Sequence, residues 1–139
     1  MSSPLGSQIA YSQFVYDLLT ACTTIKTHTV SLYTIGQTVG ILRGEVKFHS
    51  GHRLRVFEHL DFLQQRILKY SYEVCLDDQQ LWWYDPMPHP HIPELQSTHP
   101  HHQHVPPDIK HNRIPAPAIS FTKPNLPHLI AEVETAASR

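Results

Sequence analysis

An α+β fold, with a helix at each end of an antiparallel β-meander, is predicted by three observations. Apolar residues recur at helical spacing from Ser7 to Cys22. β-Branched and alternating residues fill 29–84, and a second helical pattern runs over 125–136. Between meander and last helix, 85–124 is rich in proline and histidine. At 139 residues and 40% hydrophobic content, the chain is sized for one domain, 1–139, with a modest core.

The first helix rests on SQIAYSQFVYDLLTAC. Ala10, Phe14, Leu18 and Cys22 recur every four residues, with Tyr11, Val15 and Leu19 beside them, giving a broad apolar stripe over 7–22. Ser7 is placed to cap its N-terminus, and Thr20, Thr23 and Thr24 weaken its far end.

The pattern then becomes β. THTVSLYTIG is rich in β-branched residues, and GEVKFHSGHRLRVFEHLDF alternates around a glycine-containing turn. A three-residue loop, Ser50-Gly51-His52, pairs Phe48 with Leu54 and Val46 with Val56 on one face. The other face then carries Lys47 with Arg55 and His49 with Arg53. A second loop at Leu63-Gln64-Gln65 pairs Leu60 with Leu68, Val56 with Tyr72 and Leu54 with Val74. Arg55 then meets Glu73, and His59 meets Lys69. In this register Glu58 falls on the apolar side, opposite Tyr70, where a carboxylate needs a partner because unpaired burial is expensive. DDQQ turns the chain into a last strand, LWWYD, and completes a meander of four to five strands with the first helix over one face.

Composition shifts after Tyr84. PHPHIPELQSTHPHHQHVPP, residues 88–107, holds six histidines and six prolines. Proline fixes φ and lacks an N–H, so this Pro/His-rich loop is excluded from the sheet except at an edge. NLPHLIAEVETAASR then reads as a helix capped by Asn125, with Pro127 in its first turn and Leu129, Ile130 and Val133 facing inward.

Several function classes are disfavoured. The net charge of −1 supplies no overall basic field. The five glycines are scattered and form no phosphate-binding or dinucleotide motif, so no nucleotide cofactor is expected. No apolar run approaches the roughly 20 residues of a membrane span, and MSSPLGSQ lacks the pattern of a signal peptide. Cys22 and Cys75 form no CxxC pair and are read as free thiols. A cytoplasmic protein without membrane contact is the expectation.

Three stretches carry a resemblance: GILRGEVKFHSGHRLRVFEHLDF, YSYEVCLDD and YDPMPHPHIPELQSTHPHHQH, followed by the Asn125 helix. Together, over about Leu18 to Val133, the chain resembles the TumE toxin family. Members show GxIRxxIxFxDGSxLxFxEY, then YxYxYxD, then YDNAPHHPELxxFPHHKH and a C-terminal helix. Here HSGHR stands for the family's DGS turn, DPMPHPH for its DNAPHH, and Gln103 for the lysine of its HHKH. The resemblance implies the toxin of a two-gene toxin–antitoxin module, with a cognate antitoxin protein as partner. It points to RNA or the ribosome as target, with RNA cleavage or a translation block as the means of growth inhibition.

Cleaving RNA without metal, as a ribonuclease, requires a base for a 2′-hydroxyl, an acid for the leaving oxygen and cations at the phosphate. Histidines with pKa values near neutrality suit both proton transfers. His101, His102 and His104 lie in the stretch most like HHKH, and His89 and His91 precede them. Tyr84 and Asp85 sit at the base of the tract, where Asp85 can orient one imidazole; Glu58 completes the candidate catalytic set. Arg53, Arg55 and Lys47 share one hairpin face suited to phosphate, while Tyr70 and Tyr72 suit base stacking. The rival reading is a non-catalytic metal- or protein-binding module, an inactive relative. In it the histidine loop takes zinc or nickel, although no cofactor is required and no metal-ligand spacing is present.

Overall fold

The computed structural model describes residues 3–86, 101–106, 113–116 and 118–139; of His102, Arg113 and Pro115 it describes the backbone alone. After a short 3₁₀ turn at Pro4–Gly6, helix α1 spans Gln8–Ala21. Strands follow at Ile25–His28 (β1), Ser31–Ile35 (β2), Val39–Phe48 (β3), His52–Asp61 (β4), Arg66–Leu76 (β5) and Gln79–Asp85 (β6). His102–His104 (β7), Arg113–Pro115 (β8) and helix α2, Leu126–Ala137, complete the described elements. The α+β class and antiparallel order agree with expectation. The sheet is larger than the predicted four to five strands, with the order β1-β3-β4-β5-β6-β7-β8 and β2 also on β3.

The extra strands have two origins. THTVSLYTIG splits into β1 and β2, which pair with successive halves of β3. At the crossover, Gly44 has φ +152°, and a Cβ there would stand 2.5 Å from the Val30 Cα. Only glycine admits so close a backbone approach. The other origin is the Pro/His tract. His102–His104 pairs with the outer edge of β6, and Arg113–Pro115 pairs beyond it. An edge is where proline-rich chain is tolerated.

Ser7 caps α1 as expected, its hydroxyl accepting the Ala10 N–H at 3.0 Å. The stripe is centred one residue over from the predicted row. Tyr11, Val15 and Leu19 are buried, while Phe14 and Leu18 pack at the margin.

The first hairpin departs from the expected register by two residues. Val46 faces Leu54, Lys47 faces Arg53 and Glu45 faces Arg55. The loop is His49-Ser50-Gly51 because Gly51, with φ +93°, takes the left-handed position that closes such a loop. A shift of two preserves pleat parity, so every side chain keeps its predicted face. In the second hairpin the pairs Leu54–Val74, Arg55–Glu73, Val56–Tyr72, Glu58–Tyr70 and His59–Lys69 agree. A bulge after His59 then sets Ile67, not Leu68, opposite Leu60. Ile67 is fully buried and Leu68 is left 41% exposed.

Both helices cover the same face of the sheet. Leu42, Val46, Leu54, Val56, Tyr70, Tyr72, Val74 and Tyr84 meet Leu126, Leu129, Ile130 and Val133 of α2 in one buried cluster with the α1 stripe. Asn125 precedes α2 as predicted, but its side chain does not cap the helix. Instead its amide donates to the Tyr72 hydroxyl at 3.0 Å and to the Ser120 carbonyl at 2.9 Å. Among the described residues no helix is long and apolar enough to cross a membrane.

Glu58 lies within this core at 0% exposure. The Tyr11 and Tyr72 hydroxyls each donate to one of its carboxylate oxygens at 2.5 Å. Burial pushes its carboxyl above the ordinary range, overriding the two hydrogen bonds that pull it down. The folded protein therefore holds this proton to higher pH than the unfolded chain, whose glutamates titrate near pH ~4.3. The stability it contributes is fully present below that pH and is lost as pH rises through the raised folded value. Glu58→Gln is expected to flatten this part of the stability profile, measured by urea unfolding from about pH 4 to about pH 8. Glu58→Leu, which leaves two buried hydroxyls without their acceptor, is expected to cost about 2–4 kcal/mol in the same assay.

Candidate catalytic site

Tyr70 and Tyr72 lie two residues apart on β5 and so share the helix-covered face of the sheet. Their rings stack at 4.9 Å, with Tyr72 fixed from below by Glu58 and Asn125. This directs the Tyr70 hydroxyl to the tract, where it meets His101 Nδ1 at 2.6 Å. The half-buried His101 ring stacks against Tyr70 at 5.7 Å and lies 4.5 Å from the Phe121 ring. Burial, reinforced by the charge of Asp85, pushes the Tyr70 phenol far above its usual range. Tyr70 therefore stays a neutral hydroxyl that orients the imidazole.

Alternation along β7 sends His104 to the opposite face. There its ring stacks on Trp83 at 4.0 Å and its Nε2 lies 3.2 Å from Asp85 Oδ2. The Trp83 indole N–H donates to the same oxygen at 3.1 Å. His104 is 3% exposed, so this arrangement clamps β7 to β6. Tyr84, on the helix side, donates its hydroxyl to Glu132 of α2, 2.7 and 2.8 Å from the two carboxylate oxygens. Burial and this carboxylate hold the Tyr84 proton far above the usual phenol range.

The structure thus gathers Tyr70, Tyr72, Tyr84 and His101 on the helix-covered side and Asp85 with His104 on the other, with Glu58 beneath Tyr72. It separates Arg53, Arg55 and Lys47 from Tyr70, Tyr72, Tyr84 and His101. Trp83, Asp85 and His104 share the face of these basic residues, with Arg55, Glu73, Trp83 and His104 in one cross-strand row. Arg53, Arg55 and Lys47 lie on the face away from both helices, in rows with Glu45, Glu73 and Cys75. Arg55 reaches Glu45 and Glu73, each at 3.3 Å, and Arg53 lies 3.5 Å from Glu45. Arg53 also donates to the Asp77 carbonyl at 2.7 Å. Gln80 and Cys75 add donors to Glu73. Two carboxylates thus occupy the predicted phosphate face. His89 and His91, and the His102 side chain, lie outside the described residues.

Sequence reasoning missed Arg66. Its guanidinium lies 5.3 Å from the Phe121 ring, on the aromatic cluster that holds His101. Its buried Nε meets no acceptor among the described residues. A hairpin-end arginine has no motif, and only the fold brings it to the tract. Among the described residues no group of three or more His, Cys, Asp or Glu is placed to hold a metal.

A family model described as Toxin TumE matches residues 15–136. No curated protein and no solved structure matches the chain.

Because the Arg53–Arg55 face is charge-paired, Arg53→Gln with Arg55→Gln is expected to lower stability by no more than about 1 kcal/mol. Any affinity for RNA per folded molecule is expected to stay unchanged. A thermal melt beside a binding titration measures both, and a clear loss of affinity with an unaltered melt would return these arginines to the substrate site.

Proposed function

Because the chain belongs to the TumE toxin family, we propose that it is the toxin of a toxin–antitoxin module that cleaves RNA by metal-independent acid–base chemistry centred on Tyr70 and His101. The observation that carries this reading is the 2.6 Å contact between the Tyr70 hydroxyl and His101 Nδ1. It joins YSYEVCLDD to the HPHHQH stretch, the segments in which the family resemblance is most specific.

In this reading the Tyr70 oxygen accepts the His101 Nδ1–H, and the unprotonated Nε2 takes the proton of a 2′-hydroxyl as its oxygen attacks the adjacent phosphorus. The phosphorus–5′-oxygen bond breaks, leaving a cyclic phosphodiester, and the departing oxygen receives a proton from a second group. His89 and His91 of the tract are the candidates proposed for that step. Tyr70 acts by positioning, since its own proton is too firmly held to be exchanged near neutral pH. Arg66, rather than Arg53 or Arg55, supplies the cation, its guanidinium on the Phe121 ring beside His101. The partner is the cognate antitoxin, and the site of action is the cytoplasm.

The test is expression of the chain with and without the product of the adjacent gene, scored by growth and RNA integrity. Growth arrest with RNA damage, relieved by that neighbour, is expected. His101→Gln should reduce RNA damage by about 10²-fold or more with an unchanged melt. Tyr70→Phe keeps the ring and is expected to lower the rate less while moving its pH profile. Normal growth and intact RNA in the parent would leave the non-catalytic binding module standing.

A further inference from the structure

A cleft of about 470 Å³ opens between β6, β7 and α2, lined by Trp82, Gln103, His128, Glu132 and Arg139 among others. Its size falls in the range of small-molecule sites. None of these five residues takes part in the proton transfers assigned to His101. The cleft is nonetheless adjacent. Gln103 on β7 is two residues beyond His101, which immediately precedes the strand, so both side chains project toward the helix-covered face about 7 Å apart.

Resting on the RNA reading above, we infer that this cleft is a nucleobase subsite and that the base it takes is guanine. Trp82, half-buried in its wall, offers an indole to pack against a base of any identity. Choice among bases falls to Glu132 and Gln103. The Glu132 carboxylate receives one hydroxyl, that of Tyr84, which fixes its orientation from the core side. Its side chain remains 26% exposed, and a carboxylate has about four lone-pair sites. It can therefore accept two parallel N–H groups from the cleft. Guanine presents such a pair, N1–H and the N2 amino group, side by side on its pairing edge; uracil and cytosine lack it, and adenine has a bare N1. The Gln103 amide brings a donor for the guanine 6-oxo group. His128, with Nε2 3.9 Å from Glu132 and 39% exposure, and Arg139 place basic side chains in the lining for a phosphate.

Titrating guanosine 3′-monophosphate, and the corresponding adenosine, cytidine and uridine nucleotides, into the full chain by calorimetry tests this inference. Guanosine monophosphate is expected to bind about tenfold or more tightly than the others. Glu132→Gln, with the carboxylate replaced in the same shape, is expected to remove that preference, and Gln103→Ala to weaken it severalfold. Melting temperatures show that each variant is folded. Equal binding of all four nucleotides, absence of binding, or an undiminished preference in folded Glu132→Gln would overturn the subsite. RNA cut by the parent with no such preference would leave the RNA reading intact and remove the guanine site. Intact RNA with Glu132-dependent guanosine monophosphate binding would support the subsite while overturning cleavage.

Discussion

The carboxylate of Glu58 is the point at which the layers of the molecule meet. It sits on β4, takes one hydroxyl from α1 through Tyr11 and one from β5 through Tyr72. Asn125, at the entrance to α2, holds Tyr72 in turn. A carboxyl removed from water is tolerated only when its oxygens are satisfied, and the penalty otherwise is several kcal/mol. Neither helix can slide along the sheet without breaking a bond to this group or to Tyr72. The same constraint reaches the candidate site, because Tyr72 stacks on Tyr70 and Tyr70 sets the ring of His101.

The two faces of the sheet use charge in opposite ways. On the face away from the helices, Glu45, Arg53, Arg55 and Glu73 neutralise one another across three strands. Exposed pairs of this kind add little stability, but they commit both arginines to carboxylates of the sheet itself. On the helix-covered face two carboxylates have phenols beside them: Glu58 with Tyr11 and Tyr72, Glu132 with Tyr84. Burial keeps these phenols neutral, so they act as fixed hydrogen-bond donors.

Much of this was legible in the sequence because pleat parity is a robust signal. The alternation in KFHSGHRLRVFEHL assigned faces correctly although the first register was displaced by two, since such a displacement leaves parity unchanged. What decided the true register was the left-handed Gly51, a conformational fact that hydrophobic pattern does not encode. Glu58 was legible for a related reason. A charged residue falling on an apolar face announces that partners exist, and its facing Tyr70 followed from the second hairpin. The identity of the partners did not follow, because Tyr11 lies forty-seven residues away, and the hold of Asn125 on Tyr72 was masked because Asn125 looked like a helix cap. Arg66 and Glu132 were illegible for the same cause, since each reaches its neighbours only through the packing of a hairpin end or a terminal helix.

The histidine–proline stretch itself follows from the chemistry of strand edges. His101 to Val105 is a run of five residues without proline, flanked by Pro100 and Pro106. It is long enough to offer N–H donors to β6 and too short to build a lasting ladder. Pairing converts composition into direction: His104 is turned to Trp83 and Asp85, His101 and Gln103 to the helix side. Beyond it, Pro115 ends β8 at the outer limit of the described sheet, where a missing N–H discourages further strand addition. Proline thus closes the sheet while histidine supplies the side chains that strand pairing aims. A tract with the same histidines and no prolines would extend the edge, and one with the prolines alone would offer nothing to Tyr70. The two residue types together set an imidazole on a short outer strand and end the described sheet one strand beyond it.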